Sequence, residues 1–228
     1  MSVRRDPAVR TDLRIVVSPL LDGLSDAQRR AVLSRARRRR FRRREVIFHA
    51  GDPGDAVHLV VSGHVGLRIT TPLGDAAMVR VLGAGEFFGE LALLVPGPRN
   101  ATAFAIESAE TQSMSTSVFD ELRTQSASAQ EALTLALVTE IRRLAGALVE
   151  ALYLPADQRL WRRLSELATS YPEGDALPLT QEEVAQLAGT TRQSANKLLR
   201  EAEEAGAVVL TRGRIEITDP KWVTRRCL

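Results

Sequence analysis

Lysine is nearly missing from this chain. Lys197 and Lys221 are the only two, so almost all of the 31 basic residues are arginine. The bias runs the whole length and marks no single site. Cysteine is scarcer still: Cys227 stands alone, next to last. A single thiol excludes an intrachain disulfide and any cluster that needs several thiolates from one chain. Histidine is limited to His49, His58 and His64. No run of 18 apolar residues occurs, so no membrane-spanning helix is expected. The basic opening MSVRRDPAVR has no apolar stretch behind it and does not read as a secretory signal. These absences point to the cytoplasm.

What is present is ordinary in amount. At 228 residues and 44% hydrophobic, the chain has enough material for two modest domains. Its formal net charge of +3 is compatible with nucleic acid but does not argue for it, so the distribution of charge must decide. The densest run is Arg35, Arg37 to Arg40 and Arg42 to Arg44. It reads either as an electrostatic patch or as the solvated outer face of a first strand, and solvated faces are the commoner case.

From residue 45 to 115 short apolar runs alternate with Gly, Pro and Asp. Strands are predicted at 46–48, 57–61, 65–69 and 78–82, with turns at 51–54, 62–63 and 72–75. Short strands at this spacing predict a jelly roll or barrel. A small barrel holding several His can be a metal-dependent enzyme. Here a turn separates His58 from His64, and His49 lies on another strand, so no metal site is expected.

Residues 128–152 form the longest periodic stretch. Leu137, Ile141, Leu144, Leu148 and Leu152 recur in steps of four and three, which is helical spacing on one narrow stripe. At ~1.5 Å per residue the helix is too long for one small domain to wrap. Its simplest partner is the same helix in a second copy, with Leu137, Ile141, Leu144 and Leu148 as the dimer seam. An ordinary core helix is the alternative. Pro155 ends it.

Beyond it, 156–171 is an amphipathic helix carrying Leu160, Trp161, Leu164 and Leu167. Thr180 and Glu183 are spaced as a capping box for a second helix. Gly189 breaks that helix, and Thr190-Thr191 caps a third over 192–204. Helix, glycine turn, helix is the DNA-binding helix-turn-helix, with Ala185 and Ala195 small enough for close approach. Arg192, Gln193, Asn196 and Lys197 then share one outward face with no acid among them. These residue types read base edges: Arg or Lys suits guanine, Gln or Asn suits adenine. Thr191 and Ser194 suit phosphates. The hairpin around Arg212-Gly213 reads as a wing, with Arg212 and Arg214 near the DNA backbone.

A phosphate site is predicted upstream. Gly89 lets the backbone approach a ligand, and a short helix from Glu90 aims free N–H groups at an anion. Arg99 supplies a forked cation, and Glu90 can accept from a sugar hydroxyl. The turn Gly51-Asp52-Pro53-Gly54-Asp55, the segments Val60-Val61-Ser62-Gly63 and Phe88-Gly89-Glu90-Leu91, and Pro98-Arg99-Asn100-Ala101 together resemble the cyclic-nucleotide-binding β-roll. That roll is found in the cyclic-AMP receptor protein (CRP/FNR) family of bacterial regulators. The resemblance runs from about residue 20 to the end. It implies that Gly89, Glu90 and Leu91 line a pocket, with Glu90 facing a ribose 2′-hydroxyl and Arg99 a cyclic phosphate. It implies DNA contacts at positions 192, 193 and 197. Departures are Asn100, where Ser or Thr is usual, and Leu144 and Ala145, where a polar pair meets the nucleobase.

The fold class expected is α+β: an N-terminal double-stranded β-helix of the jelly-roll, cyclic-nucleotide-binding type (1–127), a long dimerisation helix (128–154) and a C-terminal winged helix-turn-helix (155–228). The function expected is a homodimeric, sequence-specific regulator of transcription on a two-fold-related site in double-stranded DNA. A small effector in the roll, cyclic AMP foremost, would control it. The alternative is an effector-independent regulator with a vestigial pocket. No required cofactor, metal or catalytic constellation is expected, and no membrane partner. RNA polymerase is the further partner that an activator needs.

Overall fold

The structure is a computed structural model that describes Leu21 and residues 24–227 apart from 96 and 173. The basic opening lies outside the described residues. Helix α1 (Asp26–Ser34) starts at Ser25, which forms a reciprocal capping box with Gln28. Eight strands follow: β1 (Arg37–Phe41), β2 (Val46–Phe48), β3 (Ala56–Ser62), β4 (Val65–Thr70), β5 (Ala76–Leu82), β6 (Phe87–Phe88), β7 (Thr102–Ala105) and β8 (Ala109–Ser115). They make two antiparallel four-stranded sheets, ordered β1-β8-β3-β6 and β2-β7-β4-β5. Inward residues of both sheets meet in one buried cluster that includes Phe41, Ile47, Val60, Val65, Leu82 and Phe88. The arginine run therefore builds β1, an edge strand. Arg37 to Arg40 are exposed, and Arg38 and Arg40 both pair with Glu110 across the ladder.

Helix α2 (Thr116–Gln125) is entered through Ser115, whose side chain makes no capping bond to the backbone. Helix α3 (Ala127–Tyr153) is two different surfaces in sequence. Its first half buries Ala129, Ala132, Leu133 and Ala136. Leu137 packs partly against that same cluster under α1 and α2. Farther along, Ile141, Leu144, Leu148 and Leu152 are exposed. Leu137 thus serves the protomer's own core, while Leu135 and Val138 join the exposed set. The change along the stripe is geometric: the helix drifts relative to a strict heptad, so its environment shifts over its length.

Leu154 turns extended before Pro155. Then come α4 (Ala156–Ala168), α5 (Gln181–Ala188), α6 (Arg192–Glu204), β9 (Val208–Thr211), β10 (Arg214–Ile217) and α7 (Pro220–Arg225). Trp161 meets Trp222 edge-on at 5.1 Å inside this unit. The apolar cluster does not stop at the unit's border: Met78, Phe104 and Ile106 of the roll belong to it. A polar joint lies alongside. His64 Nδ1 is 2.6 Å from Glu107, its Nε2 is 3.1 Å from Ser170 Oγ, and its ring stacks on Tyr171. Arg43 donates to the carbonyls of Pro178 and Gly213. Roll and winged unit are held face to face by apolar and polar contacts together.

Candidate effector pocket and DNA-reading surface

Gly89 sits between β6 and a 3₁₀ turn over Glu90–Leu93, with φ at 79°. A side chain there is strained by that backbone and blocked by its neighbour: a Cβ would lie 2.5 Å from Arg99 Nη1 and 3.2 Å from the Ala56 carbonyl oxygen. Glycine is required because the Arg99 guanidinium lies against this backbone. Arg99 is only 7% exposed, an unusual place for a cation. Its Nη2 donates to the Ala56 carbonyl at 2.6 Å and its Nη1 to the Gly89 carbonyl at 3.2 Å. Asp55 is 3.6 Å away, and the guanidinium stacks over Phe48 at 4.2 Å. Its buried Nε has no partner among the described residues. Burial lowers the Arg99 pKa from its usual value, and Asp55 and Glu90 pull it back up. Burial likewise raises the Glu90 carboxyl.

His58 packs beside Phe48, the ring on which Arg99 lies. It stacks on Phe88 at 5.1 Å, and its Nδ1 is 3.3 Å from Thr111 Oγ1. Burial, then the Arg99 charge, push its pKa down to about 4. At neutral pH the ring is uncharged and leaves Arg99 as the cation of the cradle.

The structure thus brings Gly89, Glu90 and Arg99 together. Leu91 and Asn100 are exposed at the rim. Leu144 and Ala145 are exposed on α3, Leu144 about half so. Sequence reasoning missed Arg80, Glu86, Glu140 and Arg143, which form a chain of ion pairs between roll and long helix. A signal existed. Arg80 shares one face of β5 with the buried Leu82 by period-two alternation, while a register shift beside it turns Met78 toward the winged unit. An arginine at such a position needs a partner.

Gly89→Ala is expected to cost ~1–3 kcal/mol through the left-handed backbone alone. Displacement of Arg99 adds to that. The expected result is a lower melting temperature together with loss of any nucleotide affinity; retention of both would mean that the guanidinium can move without consequence.

The helix-turn-helix forms as its local signals require. Thr180 and Glu183 make both bonds of the capping box, and Gly189 closes α5 at φ 61°. Thr191 Oγ1 accepts from the Ser194 amide at 3.1 Å, and the two hydroxyls are 3.0 Å apart, so these residues shape the start of α6. Arg192, Gln193 and Lys197 are exposed on the same face, with Asn196 half-buried among them. Arg200 extends that face: its Nε donates to Asn196 Oδ1 at 3.2 Å. Arg212 and Arg214 are exposed on the hairpin. They share a cleft of about 630 Å³ with Arg192 and with Arg44 and Arg68 of the roll. Basic groups from both domains therefore face one opening.

Among the described residues, no three His, Cys, Asp or Glu side chains gather as a metal ion would need. No described helix is long and apolar enough to cross a membrane.

The cyclic nucleotide-binding domain family matches residues 38–126, and the Crp-like helix-turn-helix domain family matches 158–225. The cyclic AMP receptor protein of Thermus thermophilus is 31% identical over 202 residues, 89% of this chain and 93% of that relative. The chain belongs to the CRP/FNR family. A CRP-like cAMP-activated global transcriptional regulator of Mycobacterium tuberculosis is 30% identical over 192 residues, 82% of this chain and 86% of the relative. The solved Thermus thermophilus catabolite activator protein matches at 30% identity with a TM-score of 0.54, covering 92% of this chain and 98% of that one. The regulator CLP of Xanthomonas campestris, described as c-di-GMP-responsive, superposes with a TM-score of 0.71 over 85% of this chain and 99% of its own. At 22% identity that match shows the fold. As a CRP/FNR member the chain is a DNA-binding transcription regulator, with a cyclic nucleotide-binding domain and a helix-turn-helix.

Proposed function

We propose that this CRP/FNR regulator works as a homodimer whose roll binds a cyclic nucleotide and whose two α6 helices read a two-fold-related site. The observation that carries the effector half is the buried Arg99, whose Nε has no partner among the described residues, lying against a glycine whose Cβ would meet the guanidinium at 2.5 Å. A phosphate oxygen is the natural acceptor for such a group. Cyclic AMP heads the candidates by kinship, since two of the relatives are named for it. The exposed stripe from Ile141 to Leu152 supports pairing with a second copy, and half-sites would then lie about 34 Å apart. The mechanism is a population shift: a ligand held between roll and long helix changes how the winged domains are presented.

Arg192 and Lys197 test the reading of DNA. Alanine at Arg192 is expected to cost ~1–3 kcal/mol and to relax preference at one base position. Alanine at Lys197 is expected to weaken binding more evenly and to reduce the salt dependence. Fluorescence anisotropy across a salt series measures both. Unchanged affinity and slope in both variants would move the reading surface elsewhere.

A second reading has support of its own. The Arg99 nitrogens Nη1 and Nη2 already donate to carbonyls of the roll, and Leu144 and Ala145 offer no hydrogen bond. A regulator competent without effector fits those facts. It would bind DNA with the same affinity whether or not any nucleotide is added.

A further inference from the structure

Of the four candidate base readers on α6, Asn196 is the one whose side chain is already hydrogen-bonded among the described residues. Arg200 Nε donates to Asn196 Oδ1 at 3.2 Å. The two stand four residues apart, so their side chains meet on one face of the helix. Helical side chains lean toward the N-terminus, which carries the guanidinium back over Asn196 from the turn behind it. The neighbours are less constrained. Arg192 and Gln193 are exposed, and Lys197 comes only to 3.9 Å of Glu201, with its own side chain 79% exposed. Asn196 is half-buried. Its amide is the group on this face whose orientation is set before DNA arrives.

That orientation follows from the chemistry of the pair. A guanidinium only donates, so the amide atom facing it is the oxygen, and the Nδ2 amino group is turned outward. Asparagine reads adenine with both ends of its amide: the oxygen accepts from N6 and the nitrogen donates to N7. With Oδ1 drawn back along the helix, the double contact is broken. An outward amino group would meet the adenine N6 amino group, donor against donor. Guanine shows two acceptors, O6 and N7, on the same edge and suits an amino group. Residue type alone assigns adenine to Asn196; the bond from Arg200 reverses the assignment.

We propose that Arg200 is a positioning residue that holds Asn196 as a hydrogen-bond donor, and that the base Asn196 reads is guanine. This rests on the reading of α6 as the DNA-reading helix. Base edges are met by the first turns of such a helix, and Arg200 lies about 12 Å along the axis from Arg192. It therefore acts on the base through Asn196. The bond to Oδ1 uses only Nε, which leaves the terminal nitrogens for a DNA phosphate. One guanidinium then couples a backbone contact to the choice of base.

The test is selection from a randomised DNA duplex library with the full chain, alone and with cyclic AMP added, followed by sequencing. Asn196→Ala identifies the base pair that Asn196 reads, as the position whose preference it erases. In the native protein that pair is expected to be G·C, favoured ~10-fold over A·T. Arg200→Met keeps the length without a donor and is expected to move the same position to A·T while the others hold. Arg200→Lys keeps a donor for Oδ1 and is expected to retain G·C. A merely structural Arg200 would lower enrichment at every position and change the identity of none, and that result in Arg200→Met overturns the inference. So does a native preference for A·T at the Asn196 position, a G·C preference that survives Arg200→Met, a shift that Arg200→Lys shares, or the lack of any position that Asn196→Ala affects. In each of these cases an enriched two-fold site from the native protein leaves α6 standing as the reader. No enriched sequence from the native protein under either condition overturns both.

Discussion

A chain carrying Ile141→Glu and Leu148→Glu is expected to sediment as a monomer and to lose ~100-fold or more in affinity for a two-fold DNA site. Both residues are solvent-facing in the protomer, 65% and 60% exposed, so the exchange breaks no internal packing. In a seam between copies it would set four carboxylates into an apolar interface, which is costly in desolvation alone. Losing the second copy removes one half-site, and linked half-sites gain roughly 10²–10⁴ over one. Analytical ultracentrifugation reads the first effect and DNA anisotropy the second. An unchanged helical melt separates them from unfolding. A dimer that persists would put the interface somewhere other than the second half of α3.

Trp161→Ala is expected to remove ~3–5 kcal/mol from the winged unit. The ring is 2% exposed, and Trp222 meets it edge-on. Set against a total of ~5–15 kcal/mol for a domain, that loss takes most of a small unit's stability. The roll carries two apolar clusters that Trp161 does not enter. Denaturant unfolding followed by the remaining Trp222 is expected to move to markedly lower denaturant, while the roll's far-ultraviolet signal persists beyond it. DNA binding would go with the winged unit. A single coincident transition would instead mean that Met78, Phe104 and Ile106 weld the two units into one cooperative body.

The strands at 46–48, 57–61, 65–69 and 78–82 were legible because each is an apolar run bounded by turn residues, and they recur as β2 to β5. Strand β8 was not, for it reads AETQSMS. Its Glu110 and Thr111 are nonetheless buried, because β1 and β3 cover it from both sides. Nor was β1 visible as more than a possibility within the arginine run: its exposure on an edge lets four arginines stand in a strand that offers little apolar signal. The cradle was legible and the ion chain between roll and long helix was not. Gly89, Glu90 and Arg99 stand close in sequence and meet in space. Arg80 and Glu140 are 60 residues apart, and no local pattern joins them.

What the sequence by itself determined is whatever depends on neighbours within a turn or so. The capping boxes at Ser25 and Thr180, the glycine turn at Gly189, the stop at Pro155 and the outward polar face of α6 all follow from contacts three or four residues long. Tertiary structure alone decided which arginines find acids, that Arg99 is buried against Gly89, and that Leu137 turns inward while Ile141 and Leu148 face out. Helical periodicity gives each residue an angle about an axis, but only packing says what lies at that angle. The partner of a charge or an apolar side chain is set by distant chain segments, and their arrangement is a property of the folded whole.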